Sequence, residues 1–164
     1  MDYLSVIYKY YPADDELRRL LLKHSRQVAD RCLQIVTKHK ELPVEPQFLE
    51  EAAMLHDIGI FRCNAPSIYC QGEAPYIKHG PIGGELLRNE GLPRHARVAE
   101  RHTGTGLPGL EPETLEEEIV CYADKFYSKS NPDHVRSVLE TAQSLEKFGH
   151  AGVEKFLAWA KKFE

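Results

Sequence analysis

The chain has 164 residues, 42% hydrophobic and 28% charged, a balance that suits one compact domain with a substantial core. Its formal net charge of -4 excludes the broad basic field that draws proteins to nucleic acid, so a nucleic-acid partner is disfavoured. No apolar stretch approaches the roughly 20 residues that span a bilayer, and the acidic start MDYLSVIYKYYPADDELRR lacks a signal-peptide pattern, so a cytoplasmic protein with no membrane partner is expected.

Period-two alternation is almost absent, while apolar residues recur at spacings of three and four, which predicts an all-α, single-domain helical bundle over residues 1–164. In chain order, Asp14 and Asp15 precede ELRRLLLKHSRQVADRCLQIVTKHK, a long amphipathic pattern with room for an interruption near Lys23. The two prolines of ELPVEP end it. QFLEEAAMLHD predicts the next helix, with Gly59 placed for a left-handed cap. Residues 61–77, FRCNAPSIYCQGEAPYI, have no period and read as a loop long enough for a lid or binding role. KHGPIGGELLRNEG and LPRHARVAERH follow as helices closed by glycine-containing turns, the second by TGTGLPG. EPETLEEEIVCYADKFYSK predicts a helix with acidic first turns, and Pro132 opens one more over DHVRSVLETAQSLEKFG. HAGVEKFLAWAKKFE is the last amphipathic pattern, whose Phe156, Leu157 and Trp159 either cap the core or form an oligomer interface. Cys32, Cys63, Cys70 and Cys121 include no C-x-x-C pair and read as reduced, structural thiols.

Each ionisable residue can be tested for apolar neighbours three, four and seven positions away. His24 shares its face with Leu20, Leu21 and Val28, and His56 with Leu49, Ala52 and Ala53. His79 keeps company with Ile82, Gly83 and Leu86, His102 with Val98 and Ala99, and Asp124 with Val120, Cys121 and Tyr127. A lone histidine on such a face is usually hydrogen-bonded in an ordinary way. Asp57 and Asp124 are harder to place, because a buried carboxylate without a counter-charge is costly and no Lys or Arg shares their faces. A divalent cation supplies that charge, and imidazole with carboxylate is the donor set that iron, manganese, cobalt, zinc or nickel accepts. His39, His95, His134 and His150 sit at helix ends or starts and are set aside, His95 being the nearest to inclusion.

The ordered elements LLKHSRQVA, AAMLHDIGI, KHGPIGGELLRNEGL, AERHTGTGL and EEEIVCYADK, spanning about residues 17–130, resemble the HD-domain superfamily of metal-dependent phosphohydrolases. The resemblance implies that His24, His56, Asp57 and Asp124 bind one metal ion and that His79 and His102 add a second, with Asp57 as the bridging catalytic carboxylate. The contexts HG, HTG and AD look most like a bacterial subgroup that splits symmetrical dinucleoside tetraphosphates with a di-iron centre. After Asp124, however, KFYSKS stands where those relatives carry an acidic-proline-asparagine-arginine string.

These readings lead to hydrolysis of a phosphoester or phosphoanhydride bond in a small, nucleotide-like phosphorylated substrate, assisted by one or two divalent ions. Lys125 is the first choice for neutralising phosphate charge, with Arg62 and Thr103 behind it, and Tyr69 and Tyr76 are candidates to stack on a base. Two rivals stay open: a non-catalytic metal- or nucleotide-binding module, and a di-iron oxygenase.

Overall fold

In the computed structural model, which describes residues 1–164, the chain opens with a helix that the sequence reading did not contain, α1 (Tyr3–Tyr10), capped by the Asp2 carboxylate. Just after it, the Tyr11 hydroxyl donates to Ile58 O at 2.7 Å and accepts the Phe61 amide at 3.2 Å, tying this helix to the turn that follows α3. The long helix α2 (Glu16–Lys38) starts where the Asp15 carboxylate accepts the Arg18 amide and runs 23 residues with no break at Lys23. Its stripe of Leu21, Val28, Cys32 and Ile35 packs on α3 (Pro46–Leu55) and α6 (Leu115–Asp124). Fully burying one such side chain contributes about 1.5–3 kcal/mol, so these three helices form the rigid centre of the bundle.

The loop of residues 61–77 is short-range structure: a two-residue hairpin, β1 (Asn64–Ala65) against β2 (Cys70–Gln71), among 3₁₀ turns at Ile60–Arg62, Pro66–Ile68 and Tyr76–Lys78. The pair α4 (His79–Asn89) and α5 (Pro93–Arg101) packs closely across glycines, since a Cβ at Gly80 would stand 2.8 Å from Ala99 O. Gly59 departs from expectation. Its φ of -85° and ψ of -4° are right-handed, so no left-handed cap forms there. Glycine is required for room instead, because a Cβ would collide with His79 O and Gly83 N at the start of α4.

Helix α6 begins with a Thr114–Glu117 capping box and stops at Asp124, so KFYSK, expected to be helical, leaves the bundle as a turn. That turn is held by a bridge from Tyr127 to Val135 and by Arg136, whose guanidinium donates to Lys125 O at 3.1 Å. Likewise α7 (Val138–Leu145) starts at a Ser137–Glu140 capping box rather than after Pro132. In α8 (His150–Phe163), Phe156 and Trp159 are buried, and Phe156 stacks on Tyr122 at 5.1 Å, so this helix caps the core while Leu157 faces outward. All four cysteines are free and buried. No helix is long and apolar enough to cross a membrane.

Candidate metal centre

Of the six residues selected from the sequence, only His24 lies mid-helix, buried in α2. His56 and Asp57 follow the last residue of α3, His79 begins α4, His102 follows α5, and Asp124 ends α6. Helix ends leave main-chain carbonyls without amide partners. Imidazoles bond main-chain carbonyls three residues upstream here: Nδ1 of His56 lies 2.5 Å from Ala53 O and that of His79 2.5 Å from Tyr76 O, carbonyls that also accept the amide of the same residue, and that of His102 lies 2.7 Å from Ala99 O. A carbonyl oxygen only accepts, so each Nδ1 donates a proton and each Nε2 points inward, where it offers a lone pair once that nitrogen is unprotonated.

Asp57 lies between four inward-facing nitrogens, two on each side. Its Oδ2 is 3.2 Å from Nε2 of both His24 and His56, and Asp124 Oδ1 is 2.8 and 3.3 Å from the same two nitrogens. Its Oδ1 is 3.3 Å from His79 Nε2 and 3.2 Å from His102 Nε2, which face each other at 3.0 Å. Both oxygens of Asp57 and Nδ1 of His24 are buried without a hydrogen-bond partner. Donors held 2.0–2.2 Å from one ion stand roughly 3–3.5 Å from each other by simple geometry, close to the 2.8–3.3 Å between the pairs given above. Two overlapping clusters that share Asp57 therefore have the donors and dimensions to hold divalent metal.

Electrostatics support the same picture. Burial disfavours charge on His56, yet the neighbouring Asp57 and Asp124 carboxylates outweigh it and push its pKa up to about 10. Burial dominates at His102 and lowers it to about 4, against the pull of Asp57. Burial also works against ionisation of Asp57, but His56 and Lys129 hold it well below the ordinary carboxylate range. A proton on His56 thus stands where a cation belongs. Metal uptake near pH 7 is expected to release about one proton, read as the slope of calorimetric heat against buffer ionisation enthalpy; a zero slope would contradict this arrangement. In chelated protein, the same proton stabilises the fold fully below the ordinary imidazole value of about 6.5, and that contribution is lost as pH rises through about 10.

Residues 21–128 match the model of the HD domain, and that span contains all six residues of the centre. The chain belongs to the HD-domain family. An uncharacterized protein of Methanocaldococcus jannaschii is 26% identical, with 81% of this chain and 85% of the relative covered. Proteins of Thermoplasma volcanium and Picrophilus torridus named tRNA (cytidine(56)-2'-O)-methyltransferase are each 28% identical, over 76% and 80% of this chain. The matches span only 35% and 41% of those two proteins. No solved structure matches the chain.

Around the HD-domain centre, the residues chosen to meet a substrate are placed differently from expectation. Lys125 Nζ is occupied by Thr103 O at 3.1 Å, Cys121 O at 3.3 Å and Cys121 Sγ at 3.1 Å. Thr103 turns its hydroxyl to Thr105 O, and Arg62 is exposed, 5.5 Å from the Phe61 ring centroid. The cation at the centre is Lys129, which the sequence reading missed: its Nζ lies 2.9 Å from Asp57 Oδ2, close enough to pair but outside hydrogen-bonding angles. It comes from KFYSKS, and the signal was present in the departure of that stretch from the string that the dinucleoside tetraphosphate-splitting subgroup carries there. A cleft of about 280 Å³, lined by Arg19, Lys23, His24, Tyr69, Lys129 and Ser130 among others, leads to this side of the centre. Tyr76 stacks on His79 at 4.4 Å, so that ring face is taken, whereas Tyr69 is exposed at the cleft mouth. The four histidines set aside lie apart from the centre: His95 meets Glu51 at 2.9 Å, His39 caps α2, and His134 and His150 are exposed.

Proposed function

We propose that this HD domain is a metal-dependent phosphohydrolase that cleaves a phosphoester or phosphoanhydride bond of a small, nucleotide-like substrate. The observation that carries this reading is Asp57, whose two orphaned oxygens face two separate pairs of imidazoles. His24, His56, Asp57 and Asp124 would hold one ion, and Asp57, His79 and His102 a second. Ions held by these residues would lower the pKa of a bound water towards neutrality and offset the negative charge that develops on the phosphate. The chain's own part is to preorganise. Three Nδ1-to-carbonyl bonds fix ring orientation, and the full burial of His56, Asp57 and His102 keeps these groups from bulk water. Nothing in this arrangement favours oxygen activation over hydrolysis, and family membership favours hydrolysis.

The test is a hydrolysis screen on protein reconstituted with Mn²⁺, Fe²⁺ or Co²⁺, against nucleotides, symmetrical dinucleoside tetraphosphates and sugar phosphates. Two relatives bear a tRNA methyltransferase name, so a 3'-phosphorylated oligonucleotide belongs in the same screen. Turnover that chelator abolishes and metal restores is the expected result. Metal-loaded protein that turns over none of these substrates points to the non-catalytic module, and oxygen uptake would point to the oxygenase.

A further inference from the structure

We infer that Lys129 binds the substrate and makes the centre select a terminal, doubly charged phosphoryl group, as in a phosphomonoester, over the singly charged internal phosphate of a diester. This rests on the hydrolase reading and adds the class of substrate to it.

Access comes first. Of the six metal-binding candidates only His24 lines the cleft, and Lys129 lines it too, so an entering group meets the His24 side of the centre with Lys129 beside it. Lys129 is 12% exposed, its ammonium 2.9 Å from Asp57 Oδ2 and 5.6 Å from the centroid of the Tyr76 ring. An oxygen bound next to Asp57 therefore falls within its reach. The other cleft cations are engaged at the surface, Arg19 with Asp14 and Glu16, and Lys23 with Asp133.

Charge then discriminates. Two divalent ions bring four positive charges, Asp57 and Asp124 remove two, Lys129 adds one, and neutral imidazoles add none. Of the resulting three, the proton lost by the attacking water offsets one and a terminal phosphoryl dianion offsets the other two. A diester leaves one charge unbalanced in a buried site, where imbalance is costly. Without Lys129 the balance shifts to favour the diester.

A purely structural Lys129, present only to neutralise Asp57, predicts different behaviour, and the experiment separates the two. Metal-loaded wild type, Lys129→Met and Lys129→Arg are compared for metal content, for inorganic phosphate affinity at about pH 8, where phosphate is mostly dianionic, and for hydrolysis of p-nitrophenyl phosphate and bis(p-nitrophenyl) phosphate. Lys129→Met is expected to keep its metal, bind phosphate roughly 30-fold more weakly and lose roughly 100-fold in the monoester-to-diester ratio of kcat/KM, with Lys129→Arg recovering most of the phosphate affinity. Equal losses on both esters, unchanged phosphate affinity, or metal lost along with phosphate overturns the inference. Should wild type hydrolyse neither ester nor any substrate of the screen above, the hydrolase reading fails, while the phosphate affinities still decide whether Lys129 binds the anion.

Discussion

Asp57→Asn is expected to strip both metals from the protein and to lower hydrolysis by roughly 10³-fold or more, because one residue serves both clusters. Asn keeps the shape but loses the charge, and its amide nitrogen offers a donor where lone pairs converge. His24→Ala and His102→Ala each touch one cluster only, and each is expected to leave metal in the other. The metal-free fold responds as well. Asp57 is the carboxylate in contact with Lys129, so Asp57→Asn is expected to cost about 3–5 kcal/mol in urea unfolding of chelated protein, by leaving that ammonium without its partner. Lys129→Met in the same background should recover most of the loss, as in a double-mutant cycle. Elemental analysis showing wild-type metal content in Asp57→Asn would falsify the shared-carboxylate arrangement.

The helices that carry the centre were legible because each candidate ligand lies on an apolar stripe of period 3.6, and burial selects on that stripe. His24 with Leu21 and Val28 is the clearest case, and the structure buries all three. The separation of His95 from His102 was legible for a different reason. His95 sits in the first turn of α5 and finds an ordinary partner in Glu51, as a core histidine does.

What escaped was non-local. Asp124 was read inside a helix running on through KFYSK, since those residues tolerate helix well. The helix stops because Phe126 O and Lys125 O are taken by the Arg136 amide and guanidinium, partners ten and eleven positions away that no local pattern displays. That stop redirects Lys129 towards Asp57 and leaves Lys125 against Cys121. Asp57 has no counter-charge on its own helix, as its sequence neighbours show, and receives one from Lys129 across the fold. Gly59 shows the same limit: glycine after a helix suggests a left-handed cap, yet the need here is set by α4, some twenty residues onward.

That close approach makes Gly59→Ala the most disruptive small substitution expected near the centre. The φ of -85° suits alanine, so the backbone is not strained by the change. The added methyl, however, would stand 2.6 Å from Gly83 N and collide with His79 O, both main-chain atoms that cannot rotate away. Helix α4 must move outward, and His79 moves with it from Asp57 Oδ1, now 3.3 Å from its Nε2. A loss of about 2–4 kcal/mol is expected from overpacking, measured by urea unfolding, together with a fall in metal content from about two ions to about one as the His79 and His102 cluster opens. Gly91→Ala supplies the control. Gly91 has φ of +77° with nothing within 4 Å, so alanine there is expected to cost only about 1 kcal/mol of backbone strain and no metal. If Gly59→Ala instead kept both ions and matched Gly91→Ala in stability, the packing of α4 against the His56–Asp57 turn could not be what positions the second cluster.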